Sequence, residues 1–165
     1  MATTHAVAQL AVYRQDGKEG IKWNRDPGEE ASQDFVAMTP LVEDASSKEL
    51  EEDTSAGSAA ILGFAVGPAS GTAGTAVGYY EANENLLITA TFRNGSEAVA
   101  LAVGDINTAY GLLIDATGNT YVDKSNTTQK KVIVLGPAPG SAIGDTNARV
   151  ICRVCSDMQA KTAAA

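Results

Sequence analysis

The sequence has few of the residues from which catalytic and metal centres are usually built. Its 165 residues include one histidine, His5, and two cysteines, Cys152 and Cys155. General acid–base catalysis needs titratable partners within hydrogen-bond reach, and a structural zinc site needs four ligands. The composition therefore argues against an enzyme, and we expect neither a cofactor nor a metal site.

Basic residues are also scarce. Twelve Lys and Arg stand against twenty Asp and Glu, which gives a formal net charge of -8. Such a charge opposes attraction to nucleic acid phosphates and to anionic lipids. The longest apolar stretch, 59–66, is too short to span a bilayer, and the first residues lack the positive start of a signal peptide. We therefore expect a soluble protein whose partners are neither nucleic acid nor membrane.

The two cysteines are spaced as Cys-Arg-Val-Cys, which can form a redox dithiol or half of a zinc site. The spacing alone supports neither, because no further zinc ligands accompany it and the segment reads as a strand. Alternation from residue 148 to 155 places Val150, Cys152 and Val154 on the core face. We predict structural thiols, one buried and one not.

Aromatic residues make up only 5% of the chain, whereas 16 glycines and a 44% apolar content indicate a core of small and β-branched side chains. From residue 59 onward, short apolar runs alternate with turns at roughly ten-residue spacing. Asn94-Gly95 and Gly118-Asn119 predict two hairpins. The predicted strands are 60–66, 86–92, 98–103, 110–114, 120–123, 131–135 and 148–155. The glycine-rich loop 69–78 lacks the Gly-Lys-Ser/Thr of a phosphate cradle.

The N-terminal half differs in pattern. Strands are predicted at 5–13 and, weakened by Pro40, at 35–42, whereas 14–32 shows no helical periodicity. Six acids lie between Glu43 and Asp53. Ser46 and Glu49 form a capping-box pattern that predicts one or two helical turns, and a solvated acidic face is favoured over a metal site.

The whole pattern predicts an all-β protein: a single small β-barrel or β-sandwich domain with a long, mostly irregular N-terminal arm. We divide it into an N-terminal strand, arm and acidic segment at 1–57, a β-domain at 58–156 and a disordered tail at 157–165. Ile21 and Trp23, the large apolar residues of the arm, either pack back onto the domain or bury themselves in a partner. We predict a protein interface at 20–39, with Ile21, Trp23, Phe35 and Met38 as its contact residues.

Four segments carry a resemblance to a known family: Tyr79–Leu86, the run from Gly104 to Asp123, the strand at 131–135, and Gly144–Val154. Together they resemble the capsid decoration, or cement, proteins of tailed bacteriophages, over about residues 60–155. The resemblance implies a β-barrel-like virion protein without catalytic residues. It implies a homo-oligomer, dimer or trimer, on the outer surface of the capsid, where it bridges major capsid protein subunits after synthesis in the host cytoplasm.

A second interpretation is a phage surface adhesin or carbohydrate-binding β-module. Such a module needs aromatic platforms on exposed loops, and the candidates are Tyr79, Tyr80, Tyr110 and Tyr121. Their exposure therefore distinguishes the two interpretations.

Overall fold

The computed structural model of the chain describes residues 2–6, 10–15, 21–24, 28–54 and 60–159. Within these ranges it forms twelve strands and two short 3-10 turns, Val103–Asp105 and Ser156–Met158. The strands are β1 (Ala11–Gln15), β2 (Ile21–Asn24), β3 (Pro40–Glu43), β4 (Leu50–Glu52), β5 (Gly63–Ala65), β6 (Val77–Glu81), β7 (Leu86–Asn94), β8 (Glu97–Ala98), β9 (Ala109–Ile114), β10 (Thr120–Asp123), β11 (Val132–Pro137) and β12 (Arg149–Val154). Among the residues described, no helix is long and apolar enough to cross a membrane.

A closed barrel forms the centre of the fold. Its five strands follow the ring order β7, β10, β9, β11, β12, and β12 pairs again with β7. The nine-residue β7 makes closure possible, because it pairs with β12 through residues 87–91 and with β10 at residues 92–93. The β7–β10 pairing is parallel and the other four pairings of the ring are antiparallel. The ring therefore has no free strand edge.

Strand alternation fills the barrel with side chains. Along β7, every second residue from Leu86 to Phe92 is fully buried, as the two-residue period of a strand requires. The rings of Phe92 and Tyr110 meet edge to face, with centroids 5.5 Å apart. Most other interior positions are small or β-branched, as the composition predicts: Ala90, Val122, Val132, Val134, Ala148, Val150, Cys152 and Val154.

A second sheet lies beside the barrel, with strand order β2, β6, β5, β3, β4 and antiparallel pairing throughout. One of its faces has its own apolar cluster: Phe35, Leu41, Leu50, Leu62, Ala65, Val77 and Tyr79. The other face is turned toward the barrel, because Phe64 belongs to the barrel cluster and Tyr80 packs against that cluster. The two sheets therefore share packing through β5 and β6.

The predicted all-β class is confirmed, and the barrel is the form that the domain adopts. The strands predicted at 86–92, 110–114, 120–123, 131–135 and 148–155 correspond to β7, β9, β10, β11 and β12. Both predicted hairpins are present, with Gly95 and Gly118 in the left-handed region. The strand predicted at 98–103 is wrong: β8 ends at Ala98, and the backbone of Val99 and Leu101 bonds to loop residues instead of a neighbouring strand.

Strand pairing crosses the predicted boundary between residues 57 and 58. β3 pairs with β5, and β2 pairs with β6. Part of the N-terminal region that we expected to be mostly irregular therefore contributes three strands to the second sheet, and β1 pairs with β7. β1 and β3 overlap the strands predicted at 5–13 and 35–42 but lie closer to the C-terminus, whereas β2 and β4, of four and three residues, are too short for periodicity to reveal them. Residues 160–165 of the predicted tail lie outside the described residues.

The face predicted for β12 is confirmed, since Val150, Cys152 and Val154 are buried and Arg153 is exposed. The prediction that one cysteine is exposed is wrong, because Cys155 is buried as well. The chain leaves the strand after Val154, and the Cys155 N–H donates to the carbonyl of Lys131 (2.9 Å). Both thiols are free, and burial raises the pKa of each.

Candidate interaction surface

One end of the barrel presents apolar side chains to solvent. Val103 is 74% exposed and Ile143 is 43% exposed, and both have an exposed alanine beside them, Ala102 and Ala142. We call these four residues the apical surface. Single exposed apolar residues are common, but exposed apolar residues on two adjacent loops make this surface a candidate for contact with another protein.

The two loops that carry the apical surface are joined through their backbones. The Gly144 N–H donates to the carbonyl of Leu101 (2.8 Å), and the Leu101 N–H donates to the carbonyl of Asp145 (3.0 Å). Leu101 itself is buried and anchors its loop in the barrel core. The apolar side chains of the apical surface therefore stand on a fixed backbone.

Asp105 fixes the loop of Val103 from inside. Its buried carboxylate accepts hydrogen bonds from the Ala102 N–H (2.8 Å) and the Tyr110 hydroxyl (2.7 Å), and it pairs with Lys124 (2.9 Å). Burial alone would raise the pKa of Asp105, but these hydrogen bonds outweigh it and lower the pKa. Burial and the same bond raise the pKa of Tyr110 to about 12. The network keeps the loop in one conformation.

Asp145 fixes the loop of Ile143 in the same way. Its carboxylate accepts hydrogen bonds from the Ala142 N–H (2.9 Å) and the Thr3 N–H (2.7 Å), and lies 2.8 Å from His5 Nε2. The His5 bond, followed by the two backbone bonds, lowers the pKa of Asp145 to about 2. Residues 2–6 are thereby held against the same end of the barrel.

The predicted contact residues Ile21 and Trp23 lie on β2, where they pair by backbone with Tyr80 and Gly78. β2 ends the strand order of the second sheet within the described part of the chain. An edge strand offers backbone donors and acceptors to a further strand. The interface role of these two residues stays a prediction.

The other two predicted contact residues pack internally. Phe35 is 3% exposed within the cluster of the second sheet, and Met38 is half-buried against the barrel cluster. The Met38 backbone has φ 66° and its N–H donates to the carbonyl of Ala65 (2.7 Å). A contact between Phe35 and a partner would require this segment to open, so the apical surface is the better-placed contact site.

The acidic run forms the turn between β3 and β4 and the end of β4. The Asp44 carboxylate accepts hydrogen bonds from the Ser47 N–H (2.7 Å) and the Ser46 N–H (2.8 Å), and these lower its pKa to about 2. The predicted capping box at Ser46 and Glu49 is wrong, because Asp44 caps the segment instead. The backbone closes one turn, in which the Lys48 N–H donates to the carbonyl of Asp44 (3.1 Å), and no helix follows in this part of the described chain. No group of three or more His, Cys, Asp or Glu suited to a metal ion occurs among the described residues.

The glycine-rich loop after β5 is filled by the protein's own carboxylate. Glu29 is 1% exposed, and its two oxygens accept hydrogen bonds from the Ser70 N–H (2.9 Å) and the Gly71 N–H (2.6 Å). A pair of backbone amides in a loop is a place where an anion can bind. Here that place holds Glu29, which ties the segment before β3 to the loop.

Three of the four tyrosines considered as a carbohydrate platform are buried: Tyr79, Tyr110 and Tyr121. The fourth, Tyr80, is half-buried against the barrel cluster. An aromatic platform needs exposed ring faces, and these side chains do not supply one.

Comparisons with known proteins give no functional assignment, so the function is inferred from the apical surface. No protein-family model matches the chain, and no curated protein sequence matches it. Sequence reasoning missed the apical surface because residues 98–103 were assigned to a strand. The signal that marks it is the absence of charged residues from 98–104 and 136–144 in a strongly acidic protein.

Proposed function

We propose that this protein is a structural component of a tailed-bacteriophage virion, which binds the outer surface of the assembled capsid and stabilises it by bridging major capsid subunits. In this proposal it is a homo-oligomer without catalytic activity. The observation that carries the proposal is the apical surface, an exposed apolar group on two loops that are fixed from inside.

A rigid contact surface suits a protein whose work is attachment. Burying a Val or Ile side chain contributes about 1.5–3 kcal/mol when burial is complete. Loops that are already ordered lose little conformational entropy on binding, so more of this energy remains as affinity. Many copies on one shell multiply a modest contact.

The edge strand β2 supports the same proposal through a second kind of contact. Its backbone pairs with β6 on one side, and an added strand on the other side would bind through main-chain hydrogen bonds without a deep pocket. Trp23 lies on this strand and would supply side-chain burial to such a contact.

The proposal is tested by co-sedimentation of purified protein with capsids of the same virus from which the protein has been stripped. Val103→Asp places a charge in the centre of the apical surface at a position that is 74% exposed, so we expect circular dichroism of the variant to match that of the unmodified protein. We expect retention on the capsid to fall at least about tenfold, because a buried unpaired charge costs several kcal/mol.

Thr127→Asp is the matched control, because Thr127 is also exposed but lies in the loop between β10 and β11, outside both the apical surface and the segment 20–39. It is expected to leave retention unchanged. Trp23→Ala tests the β2 contact separately and is expected to weaken retention while circular dichroism stays the same. Failure of the unmodified protein to sediment with capsids would contradict the proposed function.

A further inference from the structure

Residues 2–6 lie along a three-residue acceptor, Asp145–Asn147, in the manner of an added strand. The Thr146 N–H donates to the carbonyl of Thr3 (2.7 Å), and the His5 N–H donates to the carbonyl of Thr146 (2.8 Å). Thr4 and Thr146 form a parallel bridge. All the main-chain pairing of the segment is therefore made with one residue of the acceptor.

The side chains on either side of Thr146 complete the contact. The Asp145 carboxylate binds the Thr3 N–H (2.7 Å) and His5 Nε2 (2.8 Å), and the Asn147 side-chain amide donates to the His5 carbonyl (3.2 Å). A carboxylate, an amide and a paired backbone together recognise an extended segment that carries an imidazole.

The segment is held by polar contacts and buries little apolar surface. Ala2, Thr3, Thr4 and Ala6 are exposed, and His5 is partly exposed. The net contribution of a hydrogen bond to stability is about equal to the entropic cost of ordering one residue, so five ordered residues with this few bonds are marginally held. Such a segment costs little free energy to release, which is the condition for exchange with an identical one.

The acceptor does not depend on the segment for its shape. Thr146 also forms an antiparallel bridge with Ala100, and the Asn147 N–H donates to the carbonyl of Val99 (3.1 Å). The Asp145 carboxylate keeps its bond to the Ala142 N–H (2.9 Å). If residues 2–6 left, Asp145–Asn147 would remain as a formed strand edge, and the Asp145 carboxylate would lose Thr3 and His5 as partners.

We propose that Asp145–Asn147 is a strand-acceptor site whose occupant in the assembled state is residues 2–6 of a second copy of this chain. Every contact made within one copy can be made between two copies. Six residues separate Thr4 from the buried Leu10, and a fully extended chain of that length spans about 20 Å. Residues 2–6 can therefore reach a neighbouring copy while Leu10 stays in the core. The proposal rests on the homo-oligomer of the proposed function and names its contact.

The surroundings of the acceptor favour a second copy as the neighbour. Two chains of net charge -8 repel each other, and this repulsion is weakest where both lack charged side chains. Residues 98–104 and 136–144, which flank the acceptor, contain none.

A disulfide between copies tests the exchange. Facing residues of paired strands lie within the range that a disulfide spans, so we pair Thr4→Cys protein with Thr146→Cys protein and oxidise the mixture. The expected product is a disulfide-linked dimer that contains one copy of each variant, identified by mass spectrometry. The native cysteines are buried, and each single variant alone serves to measure their background.

Thr4→Cys mixed with Thr127→Cys is the matched control, because Thr127 is exposed in the loop between β10 and β11. The yield of mixed dimer from Thr4→Cys and Thr146→Cys should exceed the yield from this control. Adding His5→Ala to the Thr4→Cys copy should reduce the yield with Thr146→Cys about tenfold. Mixed dimer at the control level would overturn the proposal. No capsid is present, so this failure would leave the proposed attachment to capsids untouched.

Discussion

Within the described residues, Asp53 and Lys131 form the most buried ion pair. Their charged atoms are 2.9 Å apart, and their side chains are 4% and 1% exposed. Asp53 follows β4 of the second sheet, whereas Lys131 immediately precedes β11 of the barrel. The pair therefore joins the two parts of the fold. The sequence placed Asp53 in a solvated acidic face, because nothing in the run separates it from its exposed neighbours.

Lys131→Met is expected to lower the free energy of unfolding by about 3–5 kcal/mol, since it leaves the Asp53 carboxylate buried without its cation. Urea denaturation followed by circular dichroism measures this change. The double variant Asp53→Asn/Lys131→Met should lose less free energy of unfolding than the two single variants lose in sum, because it contains no uncompensated charge.

Lys48→Met is the matched control for that experiment. Lys48 pairs with Glu43 at 3.3 Å, but the two side chains are 60% and 46% exposed. An exposed pair contributes about 0–1 kcal/mol. Equal losses for Lys48→Met and Lys131→Met would contradict a special role for the buried pair.

At the scale of the strand, β5 depends on a glycine. A Cβ atom on Gly63 would lie 2.3 Å from the Tyr80 carbonyl oxygen and 2.6 Å from the Tyr79 ring. Gly63 pairs with Leu41 of β3 on one side and Glu81 of β6 on the other. The close approach of backbones in the middle of the second sheet therefore requires glycine.

Gly63→Ala is expected to destabilise the fold by at least about 1–3 kcal/mol, because backbone atoms must move to admit the methyl group. Gly67→Ala is the control just beyond the strand, since a Cβ there has no atom within 4 Å. Its unfolding free energy should be unchanged or higher by up to about 1 kcal/mol. A similar loss for both variants in thermal unfolding would show that the clash at Gly63 is absent.

The strands that sequence reasoning found and missed differ in length and in partner. β7, β11 and β12 have six to nine residues in alternation or a continuous apolar run, so their own side chains identify them. β4, with the sequence Leu-Glu-Glu, has no such pattern and exists because β3 pairs with it. The apical surface was missed for the converse reason: Val99 to Val103 alternates like a strand, but its backbone partners are the loop residues Asp145 and Asn147.

For the whole molecule, the carboxylates set the response to acid. The pKa values of Asp44 and Asp145 are lowered to about 2, and those of Asp105 and Asp115 are lowered by hydrogen bonds that outweigh burial. Each lowered pKa contributes stability that is present above the ordinary value of about 3.9 and is lost as the pH falls through the folded value. Glu52 acts in the opposite direction, because burial and then Asp34 raise its pKa.

Stability should therefore decrease between about pH 4 and pH 2, where the unfolded chain binds more protons than the folded protein. Asp145→Asn should be less stable than the unmodified protein at pH 7, but its free energy of unfolding should fall less between about pH 4 and pH 2. Glu52→Gln has the opposite sign: it removes a carboxylate whose charged form is disfavoured by folding, so it should gain stability at pH 7. This advantage should disappear as the pH falls toward about 4.5, above the interval in which the aspartates act, because the unmodified protein then protonates Glu52. Urea midpoints measured at each pH distinguish the two variants, and parallel curves for both would show that neither carboxylate couples folding to protons.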